Sequence, residues 1–196
     1  AAEAWVLSCH PAGPSTVLNG KYKGKTLQEV YLADKSICGT KGKKYEFFPL
    51  LIKFIDAKRD LSIQVHPDDE YAMRVEGEYG KTEAWYILDC EPDAELILGF
   101  NRNVTVEEFK KAAQGDEMMS ICNRVKVKKG DVFFIESGTM HAICKGILLA
   151  EVQQNSNTTY RIYDYGRLGK DGKPRELHVD KAADVTKLCP PSIPDS

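Results

Sequence analysis

The clearest structural signal in this chain is the segment Gly130-Asp131-Val132-Phe133-Phe134-Ile135-Glu136-Ser137-Gly138-Thr139-Met140-His141. It runs from a turn through a short apolar strand into a second turn, and it ends in a histidine. Gly138 can adopt a positive φ at no steric cost, so the backbone can fold back and aim His141 into the interior of a β structure. A single histidine in this position is more often a satisfied core residue than a ligand. Other ligand-type side chains must therefore be found before His141 becomes a candidate.

Short runs of β-branched and aromatic residues, separated by turns, recur on both sides of this segment. Four consecutive pairs of such runs predict hairpins: residues 50–57 with 61–66, 83–89 with 95–100, 123–128 with 132–135, and 147–153 with 159–165. Repeated short strands favour an all-β sandwich or barrel. Eight strands in sequential pairs are typical of a jelly-roll barrel, which is the fold that we predict.

Helices are predicted to be few and short. Thr26 followed by Glu29, and Thr105 followed by Glu108, each match a capping box ahead of a short amphipathic stretch. Residues 68–75 predict a third helix, which starts just after a proline and has an aspartate available as its N-cap. We therefore expect an all-β protein with a few short helices.

Size and charge limit the functions that are possible. The chain has 196 residues, of which 42% are hydrophobic and 29% charged, and its net charge is -2. These values suit one sizeable globular domain. A nearly neutral chain has no bulk field to attract a phosphate backbone or an anionic membrane, so we expect neither nucleic acid nor a membrane as partner. The longest apolar runs, such as residues 47–52, fall far short of the ~20 residues that span a bilayer.

The cysteines and the tail suggest where the protein works and how it is divided. No two of the six cysteines are close enough to form a Cys-x-x-Cys pair, which excludes a structural zinc knuckle. Without a secretory signal, we expect a cytoplasmic protein with reduced thiols.

Residues 1–188 form the predicted domain. Residues 189–196 contain three prolines and predict a linker-like tail, cut short before a second β domain.

The stretch Leu61-Ser62-Ile63-Gln64-Val65-His66-Pro67 places three polar side chains in a row. A period of two puts Ser62, Gln64 and His66 on one face and the apolar residues on the other. If this polar face is buried, its groups need hydrogen-bond or metal partners. Taken alone, the stretch is more often an amphipathic strand whose polar face meets water.

A second polar pair lies at the start of the strand in residues 80–86. Lys81 and Glu83 share a face by the same alternation, and in isolation they form an ordinary solvated ion pair. Combined with Gln64, His66 and His141, however, Glu83 completes a set of two imidazoles, one carboxylate and one amide oxygen. This set carries one negative charge, so a divalent cation bound to it keeps a net charge of +1 and a position open to water or substrate. Mixed nitrogen and oxygen ligands with an open position fit a catalytic Zn²⁺, which lowers the pKa of bound water towards ~7.

Together these motifs resemble a known family. The first segment resembles the second cupin motif, glycine followed after five residues by Pro-x-Gly-x-x-His, with Glu136 in the usual place of proline. Across nearly the whole chain, the sequence is similar to the type I mannose-6-phosphate isomerases in their short bacterial form. The motifs that carry this resemblance are Phe-Pro-Leu-Leu-Ile-Lys at 48–53, Leu-Ser-Ile-Gln-Val-His-Pro at 61–67, Gly-Lys-Thr-Glu at 80–83, Gly-Thr-Met-His-Ala-Ile at 138–143 and Thr-Tyr-Arg-Ile-Tyr-Asp-Tyr at 159–165.

The resemblance implies a cupin jelly-roll barrel with one zinc ion per active site. It implies the interconversion of mannose 6-phosphate and fructose 6-phosphate through a cis-enediol, with a small-molecule sugar phosphate as partner. It also implies that the metal ligands are Gln64, His66, Glu83 and His141. The family usually continues into a second β domain, so metal binding is the firmer expectation and activity of this chain the weaker one.

Four further residues gain roles from the resemblance. Lys53 and Ser62 fall where the family holds the phosphate, and a buried ammonium such as that of Lys53 is costly unless an anion meets it. Lys81 is expected to transfer the proton, with its pKa depressed by the metal and neighbouring positive charge. Arg161 is expected to stabilise an enediolate oxygen. The alternative for each basic residue is a side chain that extends its charged end into water. A metal-activated water or a carboxylate remains an alternative base.

Two other functions remain open. One is a metal-binding cupin with different chemistry, such as an oxygenase or another sugar-phosphate isomerase, and an oxygenase would prefer redox-active iron or copper. The other is a domain that binds a sugar phosphate without turnover. His10 and His178 lack a comparable setting and are expected to be structural or surface residues. The oligomeric state has no signature in the sequence.

Overall fold

The computed structural model describes residues 1–115 and 117–192. Its main elements are ten strands in two antiparallel sheets. The first sheet has the order β1 (Ala2–Leu7), β2 (Leu50–Ala57), β9 (Ile147–Gln154), β4 (Glu83–Cys90) and β7 (Val132–Ile135). The second has the order β10 (Tyr160–Tyr163), β3 (Ile63–Val65), β8 (His141–Ile143), β5 (Glu95–Phe100) and β6 (Cys122–Lys126).

The helices of the described residues are short. They are α1 (Leu27–Ala33), α2 (Gly39–Gly42), α3 (Asp69–Val75), α4 (Val106–Ala113), α5 (Met118–Ile121) and α6 (Val179–Val185), with 3₁₀ turns at Gly20–Tyr22 and Lys35–Cys38. The prediction of a mostly β protein with few helices is therefore confirmed. The two sheets face each other as in a jelly roll, and in the described chain their ladders do not join into one closed barrel.

The predicted helix starts are also confirmed. At α1 the Thr26 hydroxyl accepts a hydrogen bond from the Glu29 amide, and the Glu29 side chain accepts one from the Thr26 amide, so both bonds of the capping box are present. At α4 the Thr105 side chain accepts from the amide of the third helical residue. At α3 Asp68 caps the helix by accepting from the amide of Tyr71.

The four predicted hairpins are wrong, although the strands themselves are present. β2 pairs with β1 and β9, while β3, which follows it in the chain, pairs with β8 and β10 in the other sheet. The other three pairs are divided between the sheets in the same way. Alternation of side chains shows which face of a strand is apolar but not which strand lies beside it. A spacer of three residues can cross from one sheet to the other, and that crossing is how a jelly roll winds.

The apolar core has two parts. One fills the space between the sheets at one end and includes Ile55, Trp85, Ile87, Leu96, Ile143 and Leu149. The other covers the outer face of the second sheet with helices α4, α5 and α6, and it includes Ile63, Val65, Phe109, Met118 and Ile162. Burying each large apolar side chain contributes roughly 1.5–3 kcal/mol, so both layers stabilise the sandwich.

The space between the sheets is polar at its other end. Among the residues buried there are Lys53, His66, Lys81, Glu83, His141, Glu151 and Gln153. Ile63 and Val65 pack into the helical layer, so Gln64 between them faces the interior, as the alternation predicts. The polar row in residues 62–66 is therefore not a solvated strand face.

The structure bears on two further predictions, the linker-like tail and the lack of a membrane-spanning segment. Residues 190–192 have no helix or strand, and Pro191 lies against Gly99, while residues 193–196 lie outside the described residues. The division at residue 188 stays a prediction. Among the described helices, none has both the length and the hydropathy to span a bilayer.

Candidate metal and active site

Three predicted ligands meet at the polar end of the sandwich. His66 follows β3, Glu83 begins β4 and His141 begins β8, and one ligand atom from each lies within 4.8 Å of the others. The Nε2 atom of His66 is 3.5 Å from Oε2 of Glu83, and Nε2 of His141 is 3.2 Å from Oε1. All three side chains are about 1% exposed or less, so they face one another rather than solvent.

The turn at Gly138 sets the distance between the two histidines. Gly138 has a φ of 82°, as predicted, and its amide donates a 2.8 Å hydrogen bond to the carbonyl of His66. Its own carbonyl accepts from the amide of Lys187, after α6. The turn is thus tied to both the first ligand strand and the helical layer, and His141 emerges from it into the interior.

Substituting alanine for Gly138 is expected to lower both stability and metal affinity. A positive φ costs an L-residue about 1–2 kcal/mol, and a Cβ at this position would lie only 2.8 Å from the Val185 carbonyl oxygen. Gly172→Ala is the matched control, because Gly172 has a φ of 74° with no atom within 4 Å of a new Cβ. Thermal unfolding and a zinc titration measure the difference. Equal losses in both variants would contradict the proposed role of this turn.

Backbone carbonyls hold both histidines in the tautomer that a metal needs. Nδ1 of His66 lies 3.0 Å from the carbonyl oxygen of Thr158, and Nδ1 of His141 lies 2.8 Å from that of Thr139. Because a carbonyl only accepts, each Nδ1 carries the proton and each Nε2 presents its lone pair. Burial, helped by the charge of Lys81, also holds the pKa of His66 well below its ordinary value. His66 is therefore neutral, as a ligand must be.

Gln64, the fourth predicted ligand, lies beside the cluster. It is paired directly with His141 in the β3–β8 ladder, and its Nε2 is 3.4 Å from Nε2 of that histidine. A 180° flip of the Gln64 side-chain amide exchanges Nε2 and Oε1, so that Oε1 then lies beside the histidine nitrogen. The structure thus brings Gln64 next to the three buried ligands.

The donor set fits a divalent cation. Both carboxylate oxygens of Glu83 are buried, and neither has a hydrogen bond of good geometry among the described residues. Burial alone would raise the pKa of Glu83, but Lys81, His66 and His141 outweigh it and hold the pKa well below its ordinary value. The Lys81 ammonium reaches Oε2 of this carboxylate and Nε2 of His66, but Oε1 still faces the lone pair of His141, a pairing that a cation between them would stabilise. Two nitrogens, a carboxylate and an amide oxygen suit Zn²⁺.

Lys81 contacts two of the candidate ligands. Its Nζ is 3.1 Å from Oε2 of Glu83 and 3.0 Å from Nε2 of His66, and the side chain is 5% exposed. Burial by itself lowers the pKa of Lys81, but the carboxylates of Glu83 and Glu151 outweigh it and leave the pKa above its ordinary value. In the protein alone two carboxylates face this ammonium, so the expectation that a bound metal depresses the pKa of Lys81 stays a prediction.

Comparison with known proteins supplies the family. The model of the type I phosphomannose isomerase catalytic domain matches residues 1–110, more than half of the chain. The chain belongs to the type I phosphomannose isomerase family. It is 50% identical over 194 residues to the mannose-6-phosphate isomerase ManA of Bacillus subtilis (strain 168), a match that covers 98% of this chain and 60% of that protein.

Two further relatives agree with the assignment to the phosphomannose isomerase family. A mannose-6-phosphate isomerase of Streptococcus mutans is 43% identical over 190 residues, covering 97% of this chain and 59% of that protein. The crystal structure of the Bacillus subtilis mannose 6-phosphate isomerase superposes with a TM-score of 0.89 at 48% identity, covering 95% of this chain and 59% of that one. The chain thus spans about three fifths of the length of these relatives.

The two residues predicted to hold phosphate in this phosphomannose isomerase domain are not neighbours on a hairpin. Lys53 lies on β2 and is buried, with its Nζ 3.2 Å from Glu3, 3.6 Å from Glu151 and 5.0 Å from the centre of the Trp5 ring. Ser62 is also buried but precedes β3 in the other sheet. Two carboxylates therefore already face the ammonium of Lys53, which sequence reasoning did not anticipate.

Arg161 lies in the row of the ligands. It pairs with Gln64 in the β10–β3 ladder, and Gln64 pairs in turn with His141, so the three side chains share one face. Nη1 of Arg161 donates to the carbonyl of Glu176 at 2.9 Å, whereas its Nε is buried and has no hydrogen-bond partner among the described residues. Burial lowers the pKa of Arg161 from its ordinary value, but a guanidinium stays charged.

Two interior residues were missed by the sequence analysis. Glu151 and Gln153 lie on β9, beside Trp85 and Glu83 respectively, and both are almost fully buried. The Trp85 indole donates to Glu151 at 2.9 Å, and burial raises the pKa of Glu151. The alternation along residues 147–154 could have indicated that both side chains point inward, because they continue the strand face that begins with isoleucine and leucine.

The other two histidines have structural contacts, as expected. Nδ1 of His10 accepts from the amide of Ala12, and the ring stacks edge-on against Trp5. Nδ1 of His178 accepts from the amide of Arg161, which ties the start of α6 to β10.

Proposed function

We propose that this chain is a metal-dependent aldose–ketose isomerase that interconverts mannose 6-phosphate and fructose 6-phosphate. The observation that carries the proposal is the buried meeting of His66, Glu83 and His141 with Lys81, in a member of the type I phosphomannose isomerase family. The relatives that it matches bear the name of this activity, and the chain spans about three fifths of them. The substrate, a small sugar phosphate, and a cytoplasmic location belong to the same proposal.

Zinc is the proposed cofactor, with one ion per site. Gln64, His66, Glu83 and His141 would hold it, because their nitrogen and oxygen donors suit this metal. Bound there, zinc supplies a Lewis acid that polarises the sugar carbonyl and stabilises negative charge on its oxygen.

The proton transfer falls to the protein. In the forward direction Lys81 removes the proton from C2 of the open-chain aldose. The electron pair of that C–H bond forms the C1–C2 double bond, the π pair of the C1 carbonyl moves onto O1, and O1 takes up a proton to give a cis-enediol. Returning a proton to C1, while the C2 hydroxyl becomes the carbonyl, gives the ketose without an external oxidant. Lys81 must be neutral for this step. A cation held by Glu83 cancels the charge that raises the pKa of Lys81, which favours the neutral amine.

Arg161 has a positioning and electrostatic role in the proposal. Its place beside Gln64 in the ladder brings a permanent positive charge into the row of ligands. A guanidinium aimed at the enediol oxygens stabilises the negative charge that develops there, and it needs no proton transfer to do so.

Phosphate binding by Lys53 and Ser62 is proposed with its own test. Lys53→Met should raise KM for mannose 6-phosphate about 10–100-fold with kcat changed little, as expected for a lost charge-assisted hydrogen bond of about 1.5–3 kcal/mol. Ser62→Ala should act in the same direction with a smaller effect. Lys58→Met, an exposed lysine just after β2, is the control. If Lys53→Met lowers the unfolding temperature and leaves KM unchanged, Lys53 only balances Glu3 and Glu151.

The proposed reaction is tested directly with the purified chain. The chain is stripped with a chelator and reloaded with zinc, and fructose 6-phosphate is measured in a coupled assay. We expect activity only after reloading, together with exchange of the C2 proton with solvent deuterium. Tight binding of mannose 6-phosphate without exchange would instead identify a non-catalytic binding domain. Consumption of oxygen would identify an oxygenase.

A further inference from the structure

The carbonyl that holds His66 belongs to a loop with its own anchor. Thr158 lies in the connection between β9 and β10, residues 155–159, and its carbonyl oxygen accepts from Nδ1 of His66 at 3.0 Å. The position of this carbonyl directs the imidazole and, together with the Lys81 ammonium 3.0 Å from Nε2, fixes its tautomer. A group that holds Thr158 in place therefore orients the His66 imidazole without contacting it.

Glu78 is the side chain that fixes Thr158. Oε2 of Glu78 accepts a hydrogen bond from the Thr158 hydroxyl at 3.0 Å and another from the amide of Asn157 at 3.4 Å. Both donors lie within the loop, while Glu78 follows α3 in a different part of the chain. One carboxylate oxygen thus holds the loop residue whose carbonyl meets His66.

The other oxygen of Glu78 is directed at the first segment of the chain. Oε1 lies 3.6 Å from Nε2 of His10. Since Nδ1 of His10 accepts from the amide of Ala12, the neutral ring carries its proton on Nε2 and presents a donor to Glu78. The buried His10 ring therefore lies beside the Glu78 carboxylate without forming a short hydrogen bond to it.

The near end of the loop has a separate anchor. Nε2 of Gln153 donates to the carbonyl of Ser156 at 2.7 Å, and the Ser156 hydroxyl accepts from the Thr158 amide at 3.2 Å. After the loop, Tyr160 is already paired with Val65 in the β10–β3 ladder. Loss of the Glu78 contact would therefore loosen Thr158 locally, since its amide stays bonded to Ser156, and would leave the sheets intact.

We propose that Glu78 is a positioning residue for the metal ligand His66, acting through the hydroxyl and carbonyl of Thr158. This inference rests on the metal site of the proposed function. It assigns a role to a partly exposed carboxylate that neither touches the ligands nor belongs to the motifs of the sequence analysis. Glu78 holds the loop, the loop carbonyl orients the imidazole, and the imidazole keeps its lone pair on the metal side.

The test measures zinc affinity by competition with a chromophoric chelator. Glu78→Ala should bind zinc up to roughly 10-fold more weakly, the lower end of the loss that removal of a direct outer-shell partner causes, because the Thr158 carbonyl itself remains. Thr158→Val, which keeps the carbonyl and removes the hydroxyl, should weaken binding in the same direction. The double variant should be no weaker than Glu78→Ala, because both changes break one contact. Glu70→Ala, on the exposed side of α3, is the matched control and should bind as the unchanged chain does.

Two further measurements separate positioning from a loss of folding. Glu78→Gln keeps an oxygen that can accept from Thr158, so it should restore most of the zinc affinity although its charge is gone. In the metal-free Lys81→Met chain, where no ammonium donates to Nε2 of His66, the ¹⁵N shifts of His66 should report the Nδ1–H tautomer, and adding Glu78→Ala should mix the two tautomers. A merely structural role would lower the unfolding temperature and leave this tautomer ratio unchanged.

The outcomes distinguish this inference from the proposed function. If the unchanged chain binds zinc and Glu78→Ala and Thr158→Val bind it equally well, the positioning role is overturned and the metal site stands. If the unchanged chain binds no zinc, the proposed function fails. The tautomer measurement then decides the role of Glu78 by itself, since it needs no metal.

Discussion

Replacing Glu83 with glutamine is expected to weaken zinc binding by at least ~100-fold, since four ligands share an apparent binding free energy of about 10–16 kcal/mol. The substitution keeps the shape of the side chain and removes the only negative charge in the donor set. It leaves His66 and His141 with their lone pairs but without the carboxylate that each faces at 3.5 and 3.2 Å. With the metal lost, kcat should fall by about 10³-fold, the equivalent of several kcal/mol of charge stabilisation.

Stability must be separated from metal binding in this experiment. Glu83→Gln also leaves the buried ammonium of Lys81 without its nearest carboxylate, so the metal-free variant should unfold at a lower temperature. The double variant Glu83→Gln/Lys81→Met removes both charges, and it should regain stability without regaining zinc affinity.

The matched control for Glu83→Gln is Glu151→Gln. Glu151 is as deeply buried and lies on the neighbouring strand, but it contacts Trp85 and Lys53 rather than the two histidines. Glu151→Gln should therefore keep its zinc. Equal zinc affinity in both variants would remove Glu83 from the ligand set and with it the metal site.

The inward faces of the candidate ligands could be predicted from the sequence because strand alternation is a local property. Each of Gln64, His66 and Glu83 is assigned to a face by its parity along a single strand, and backbone geometry enforces that parity. His141 is placed by a glycine whose positive φ only glycine adopts without strain. The resemblance to the family then grouped four residues that parity alone left on separate strands.

Strand pairing could not be predicted in the same way. Which strands lie side by side depends on contacts between segments far apart in the chain, such as β2 with β9. A short spacer after β2 suits a tight turn, but it equally suits a crossing to the opposite sheet. The four predicted hairpins were wrong for this reason.

The charges that surround Lys81 and Lys53 could not be predicted from the sequence either. The pKa of Lys81 depends on Glu151, which lies 70 positions away in the chain and meets it only in the folded interior. The carboxylates around Lys53 come from β1 and β9 in the same way. Coulomb energies depend on the distances between charges on different strands. A sequence motif can therefore identify a charged residue but cannot show which opposite charges surround it.

The effect of Lys81→Met should run in opposite directions for binding and catalysis. The Nζ of Lys81 lies 3.1 Å from Glu83 and 3.0 Å from His66, so its positive charge competes with a cation for the same two side chains. Methionine has a similar volume without the charge. The variant should therefore bind zinc at least as tightly as the unchanged chain, while kcat falls about 10²–10⁴-fold, the usual contribution of a general base.

Because zinc binding should be kept while kcat falls, the Lys81→Met variant tests the mechanism more sharply than a loss of activity alone would. Lys53→Met, the other buried lysine between the sheets, is the control, because it should change KM and spare proton exchange at C2. The measurements are zinc content, kcat and the rate at which C2 of mannose 6-phosphate takes up solvent deuterium. Normal zinc with C2 exchange slowed in proportion to kcat places the proton transfer on Lys81. Unchanged kcat in a zinc-loaded Lys81→Met chain would assign that transfer to another group, with the buried carboxylate of Glu151 the next to be replaced.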